Sequence, residues 1–293
     1  MAVKLKTDTD VKITEYINEI KLFFKNILLN NKYNYQKITY KIDNKTIYII
    51  KIVLNDEEHK PVLFTIPGLS HTSFLRTSEI IISKLDVLVT KFKAIYLIEY
   101  ESFKDDMKDA FTEQQKEIDK VGGEEKFEEM SLDEKLEGEF FNSVYKTNTI
   151  IAKLTKNIII SLELSNIHLL GKCNGSWIAT ILITLDDRFK GLYLAVACIP
   201  FSVKDLEKIN SKKLEEIKFI FGWTLQDTYD YIWGVKSFEE KERYDLIMKN
   251  FKEKYTNINY KSFMYDYNCA HDSFMYHEIH PEMIDDIINS IDL

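Results

Sequence analysis

Leu169-Leu170-Gly171-Lys172-Cys173-Asn174-Gly175-Ser176 is the stretch on which the reading of this chain turns. The apolar run Ile167 to Leu170 fits a buried strand, and Trp177 to Leu185 keeps helical spacing. A strand, a tight turn and a helix therefore meet at Cys173. A Gly-x-nucleophile-x-Gly turn in that setting lifts its central side chain out of the backbone at the top of a sheet. Glycine is needed on either side because the strained turn leaves no room for a Cβ. A thiol at the centre can carry acyl chemistry, and the positive end of a helix dipole favours its thiolate. A glycine-bounded turn around an inert buried cysteine would look the same in isolation. The rest of the chain has to decide.

Upstream, Pro61 to Ile66 is a nearly continuous apolar run, as expected of a strand covered on both faces. It ends in Pro67-Gly68-Leu69-Ser70-His71-Thr72-Ser73. A helical pattern then runs from Phe74 to Lys91, and Ala94 to Ile98 reads as the next buried strand. Strand, loop, helix, strand is the βαβ rhythm of an α/β fold. Before it, Tyr35 to Ile42 and Thr46 to Leu54 read as strands joined at Asp43-Asn44. Asp10 to Leu29 has amphipathic spacing with Asp10 as a cap, so residues 1–34 are expected to hold a helix packed on the core.

Glu101 to Glu139 breaks the rhythm. It is dense in Lys, Glu and Asp around a Gly122-Gly123 pair, and reads as a helical insertion over one end of the sheet. Two roles stand open, a lid over a site or a solvated charged hairpin. Phe140 to Leu164 resumes a helix that leads into the quoted stretch. Beyond it, Gly191 to Ile199 is a buried strand and Val203 to Lys213 a polar connection. Ile217 to Phe221 is a strand ended by Gly222, and Trp223 to Trp233 an aromatic loop or short helix. Phe238 to Tyr255 is a charged helix, Tyr260 to Tyr265 the last strand, and Pro281 to Ile291 a closing helix, with His271 in the loop between them. With no internal repeat or linker, residues 35–293 are expected to form one domain.

Composition narrows the function. Hydrophobic residues make up 45% of the chain, ample for a large core, and the formal charge is −8 with no basic stripe, which argues against a nucleic-acid partner. Cys173, Cys198 and Cys269 form no disulfide framework, and no apolar run approaches the roughly 18 residues of a membrane span. A soluble, cytoplasmic protein without integral membrane contact is the expectation. Neither His277-Glu278-Ile279-His280 nor the cysteine spacing forms a metal motif, and no phosphate loop or dinucleotide fingerprint is present, so neither metal nor cofactor is expected.

Taken together, Cys173 after one strand, Asp227 after a later one and His271 after the last resemble the α/β-hydrolase superfamily over roughly Tyr35 to the end. Ile66-Pro67-Gly68-Leu69-Ser70 is similar to its oxyanion loop, Gly171-Lys172-Cys173-Asn174-Gly175 to its nucleophile elbow and Phe219-Ile220-Phe221-Gly222 with Asp227 to its acid strand. Asn268-Cys269-Ala270-His271-Asp272 is similar to its histidine loop. A cysteine in the nucleophile slot resembles the dienelactone hydrolases. The resemblance implies a mostly parallel central sheet with helices on both faces.

It also implies a Cys173–His271–Asp227 triad, in which His271 moves the proton and Asp227 orients the imidazole. Asp230 competes with Asp227 for the acid position. Backbone N–H groups of Leu69 and Asn174 are the implied oxyanion donors, and Ser70, His71 and Trp223 the expected pocket residues. The implied activity is hydrolysis of an ester, thioester or lactone of a small-molecule acyl substrate. Transfer of the acyl group to another acceptor, or a catalytically silent binding protein on the same fold, are the competing readings.

Overall fold

The computed structural model describes residues 33–42, 45–68, 73–100, 104–131, 134–135, 137–195, 205–206, 208–209, 211–227, 237–255, 257–269 and 282–291, together with Leu22. Among these, eight strands join in one sheet. They are β1 (Asn34–Ile42), β2 (Lys45–Val53), β3 (Val62–Ile66) and β4 (Ala94–Glu99), then β5 (Ile167–Lys172), β6 (Phe189–Ala195), β7 (Lys218–Asp227) and β8 (Asn259–Cys269). Their order across the sheet is β1-β2-β4-β3-β5-β6-β7-β8. β1, β2 and β4 pair antiparallel, and every later pairing is parallel.

The sequence explains this division. β3, β4 and β5 are buried at every residue, which is why they read as unbroken apolar runs rather than as alternation. β1 instead exposes Lys37 and Lys41, and charge on an outer strand discourages a further strand from adding.

Between the strands lie α1 (Ser73–Ser83), α2 (Leu85–Leu88), α3 (Lys104–Val121), α4 (Glu124–Glu129) and α5 (Glu139–Ser161). After them come α6 (Asn174–Leu185), α7 (Ser211–Leu214), α8 (Ser237–Lys254) and α9 (Glu282–Asn289). α5 buries Val144, Asn148, Ile151, Thr155 and Ile158, the stripe expected of a helix lying along a layer. α6 packs between α5 and strands β3, β5 and β6, and is buried from Asn174 to Ile183. α1 and α9 cover the opposite face, where they meet the Leu170 and Lys172 side chains. The far end of α6 is closed by the Lys213 ammonium, which donates to the carbonyls of Ile183 and Asp186.

One difference from the sequence reading has a physical cause. The strand expected to stop at Gly222 continues to Asp227, so Trp223 to Asp227 is strand rather than loop. A Cβ on Gly222 would lie 2.6 Å from the Met283 side chain, so that glycine makes room for α9 and does not end the strand. The charged insertion is helical, as expected, and among the described residues α3 packs along α5. There Glu117 accepts from the Phe140 N–H at 3.0 Å, supplying the cap that Gly138 cannot.

The helix expected over Asp10 to Leu29 and the turn Asp43-Asn44 lie outside the described residues, Leu22 apart. Among the described residues, no helix is long and apolar enough to cross a membrane.

Candidate active site

The turn between β5 and α6 holds Cys173 at φ 53°, ψ −128°. This is a region that residues with a Cβ rarely enter, and each such residue costs about 1–3 kcal/mol. The turn is fixed from both sides. The Cys173 N–H donates to the Ala195 carbonyl (3.2 Å), extending the β5–β6 ladder, and the Cys173 carbonyl accepts from the Ser176 N–H (2.7 Å), opening the helix.

The flanking glycines are required by contact. A Cβ on Gly171 would lie 2.6 Å from both the Gly175 carbonyl oxygen and the Ser176 Cα. One on Gly175 would lie 2.1 Å from the Ile66 carbonyl oxygen and 2.5 Å from that of Pro67. The elbow is thus pressed against the end of β3, from which the chain continues into Gly68 and Leu69. Leu69, Ser70 and His71 themselves lie outside the described residues.

Asn174 is the first residue of α6 and fully buried. Its side-chain amide exchanges two hydrogen bonds with Asn148 of α5, Asn148 Nδ2 to Asn174 Oδ1 at 2.8 Å and Asn174 Nδ2 to Asn148 Oδ1 at 2.9 Å. One turn along the same two helices, Tyr145 and Trp177 are in ring contact at 5.7 Å. Both donate to the carboxylate of Asp205, Tyr145 at 3.1 Å and Trp177 at 3.3 Å, and Lys208 donates to it at 2.6 Å. Sequence reasoning misses both Asn148 and Asp205. The only signal for Asn148 is an amide in the apolar stripe of α5, where a polar group requires a buried partner.

On the other face, Lys172 lines a small apolar cleft with Thr77, Ile80, Ile81, Leu170 and Ile284. His168 faces the same side of the sheet, four residues before Lys172 and toward the base of β5. Its ring lies edge-on to Phe92 and its Nδ1 pairs with the Tyr193 hydroxyl. Burial, with the Lys218 charge nearby, pushes its pKa down to about 3. A neutral histidine at that depth is a core residue.

Strand register locates the remaining candidates. Lys172, Ala195 and Gly222 lie on one rung, and Phe263 continues it on β8. β7 and β8 extend five residues or more beyond that rung, to the paired residues Asp227 and Cys269. Asp227 is therefore the last residue of β7, and its backbone lies opposite a residue two before His271. His271, Asp230 and Cys198 lie outside the described residues. Trp223, one residue past the rung, is 1% exposed and edge-on to Phe221.

No protein-family model matches the sequence, and no curated protein matches it. Among solved structures, the chain is similar to the enterobactin and salmochelin hydrolase IroE, with 10% identity, TM-score 0.51 and coverage of 89% of this chain and 97% of that one. It is similar to a structure described as AbyA5 wild type, with 10% identity, TM-score 0.52 and coverage of 97% and 74%. A dienelactone hydrolase from Anabaena variabilis aligns at 10% identity and TM-score 0.42 over 88% and 95% of the two chains, too loosely to bear on the nucleophile. With the strand order, the likenesses show that the chain has the α/β-hydrolase fold.

Proposed function

We propose that the protein hydrolyses an ester, thioester or lactone through a thioacyl-enzyme on Cys173, with His271 as the proton carrier and Asp227 as the carboxylate that orients it. The observation that carries this reading is the backbone of Cys173, a strained non-glycine residue between two glycines that admit no Cβ. A turn serving only to join strand to helix gains nothing from that strain. Strain of this kind persists where the surrounding structure holds it for a purpose.

The chemistry follows from the position. The Cys173 thiol gives its proton to His271 as its sulfur attacks the acyl carbon, the S–C bond forms, and the carbonyl electrons move to oxygen, where the N–H groups of Asn174 and Leu69 receive the charge. Collapse expels the alcohol or thiol, protonated by His271. Water then attacks the thioacyl carbon while His271 takes its proton, and the S–C bond breaks to return the thiol. The route needs no cofactor.

Pairing of Asp227 with Cys269 supports Asp227 over Asp230, since it sets the carboxylate-bearing residue beside the strand that leads to His271. Ser70, His71 and Trp223 are proposed to border the substrate. The scattered cysteines fit a reducing, cytoplasmic setting in which Cys173 stays a thiol.

Purified protein mixed with a p-nitrophenyl ester is expected to release a burst of nitrophenol equal to the enzyme concentration. The acyl mass should sit on the Cys173 peptide, and both signals should vanish in Cys173→Ala. Folded protein that shows neither with several acyl lengths would sink the proposal. A burst followed by slow turnover that an added alcohol or thiol accelerates would redirect it to acyl transfer.

A further inference from the structure

Asn148 and Asn174 are both fully buried, on two helices packed against each other, and each donates one hydrogen bond to the other and accepts one. An amide carries two N–H donors and a carbonyl oxygen, so the pair closes a ring in which each side chain fixes the orientation of the other. An apolar pair would join α5 to α6 without the desolvation cost of two amides. The Tyr145–Trp177 contact and the shared Asp205 carboxylate already tie the same helices together one turn away. What the amide ring adds is direction. It restricts the Asn174 side chain, and with it the backbone of the residue that follows the strained Cys173. The Asn174 N–H belongs to the first turn of α6, where backbone donors have no acceptor within the helix.

We infer that Asn148 is a positioning residue for acyl transfer, holding the Asn174 peptide at the angle from which its N–H meets the oxyanion. This rests on Cys173 acting as the acyl nucleophile. Asn148 touches no reacting atom and acts only through Asn174.

Two reactions of the same thiol separate this role from a structural one. Acylation by a p-nitrophenyl ester builds negative charge on oxygen. Alkylation by iodoacetamide forms an S–C bond and expels iodide, with no oxyanion at any stage. Both depend equally on the Cys173 thiolate, so their rate ratio reports donor placement. In Asn148→Ala the ratio is expected to fall about tenfold or more, since loss of a whole oxyanion donor costs ~10²–10³ in rate.

Asn148→Asp gives a sharper reading. While protonated, the introduced carboxyl still offers one donor and one acceptor and keeps the ring closed; once ionised, it offers no donor. The ratio, taken relative to wild type at the same pH, should start near one in acid and fall as that carboxyl ionises. If Asn148→Ala does not fold, this profile decides alone. A relative ratio that stays near one in both variants, or a loss in Asn148→Asp that does not vary with pH, would overturn the inference. Wild-type protein that is alkylated but never acylated would overturn the nucleophile reading itself, and this inference with it, before any substitution is made.

Discussion

Gly175 sits so close to the end of β3 that a Cβ on it would fall 2.1 Å from the carbonyl oxygen of Ile66. The second glycine of the elbow is therefore set by another strand, more than a hundred residues earlier in the chain, as much as by its own turn. Gly175→Ala should destabilise the fold by about 3 kcal/mol or more, because backbone rather than a flexible side chain must give way. Urea denaturation of Gly175→Ala beside Gly123→Ala checks it. A Cβ on Gly123 meets nothing within 4 Å, so only its φ of 116° opposes the change. Equal losses in the two variants would refute the steric account.

The strain at Cys173 makes a prediction of opposite sign. Glycine tolerates φ 53°, ψ −128°, whereas alanine does not. Cys173→Gly should therefore be more stable than Cys173→Ala by about 1 kcal/mol, the reverse of their usual order. Thermal or urea midpoints of the two thiol-free variants measure the difference. An alanine variant at least as stable as the glycine one would show that the turn stores no strain.

Asp227 and Asp230 can be told apart by acylation rate. Asp227→Asn should lower it about 10³–10⁴-fold, as expected when the imidazole loses its orienting carboxylate. Asp230→Asn should leave it within about twofold of wild type, since a carboxylate outside the triad contributes nothing to the proton relay. Stopped-flow release of nitrophenol in the first turnover reads both, and the opposite pattern would move the acid to Asp230.

His168 predicts how stability depends on acid. Its pKa is about 3 in the fold and 6.5 in an unconstrained chain. Between those values the unfolded chain binds a proton that the folded one refuses. The stabilisation is complete above about pH 6.5 and drains as pH falls toward 3, at up to about 1.4 kcal/mol per pH unit. Urea denaturation from pH 7 to 4 should give a slope shallower by nearly one proton in His168→Gln than in wild type. Parallel curves would mean that His168 takes up its proton while folded.

Much of this fold can be read from the chain because buried parallel strands leave unbroken apolar runs, as in β3, β4 and β5. The elbow is legible for a different reason, since only glycine satisfies the contacts at Gly171 and Gly175. Reading fails where a residue answers to a distant partner. Gly222 has the appearance of a strand end, yet it is small because Met283 packs upon it, and the strand runs on through Trp223 to Asp227. Asn148 takes its meaning from an amide 26 residues away. Asp205 lies in a polar connection that gives no sign of the Trp177 and Tyr145 groups converging on it.

The two hydrogen bonds of the Cys173 backbone have a consequence for how the protein can be controlled. One makes the residue, among the described residues, the last link between β5 and β6, and the other makes it the first link of α6. To withdraw the Cys173 backbone, the protein would have to break the sheet at its centre. On and off states, if the cell uses them, have to be made from what surrounds the sulfur. Amide hydrogen exchange at Cys173 should accordingly require the whole molecule to open, so Cys173 would be among the last residues to let go.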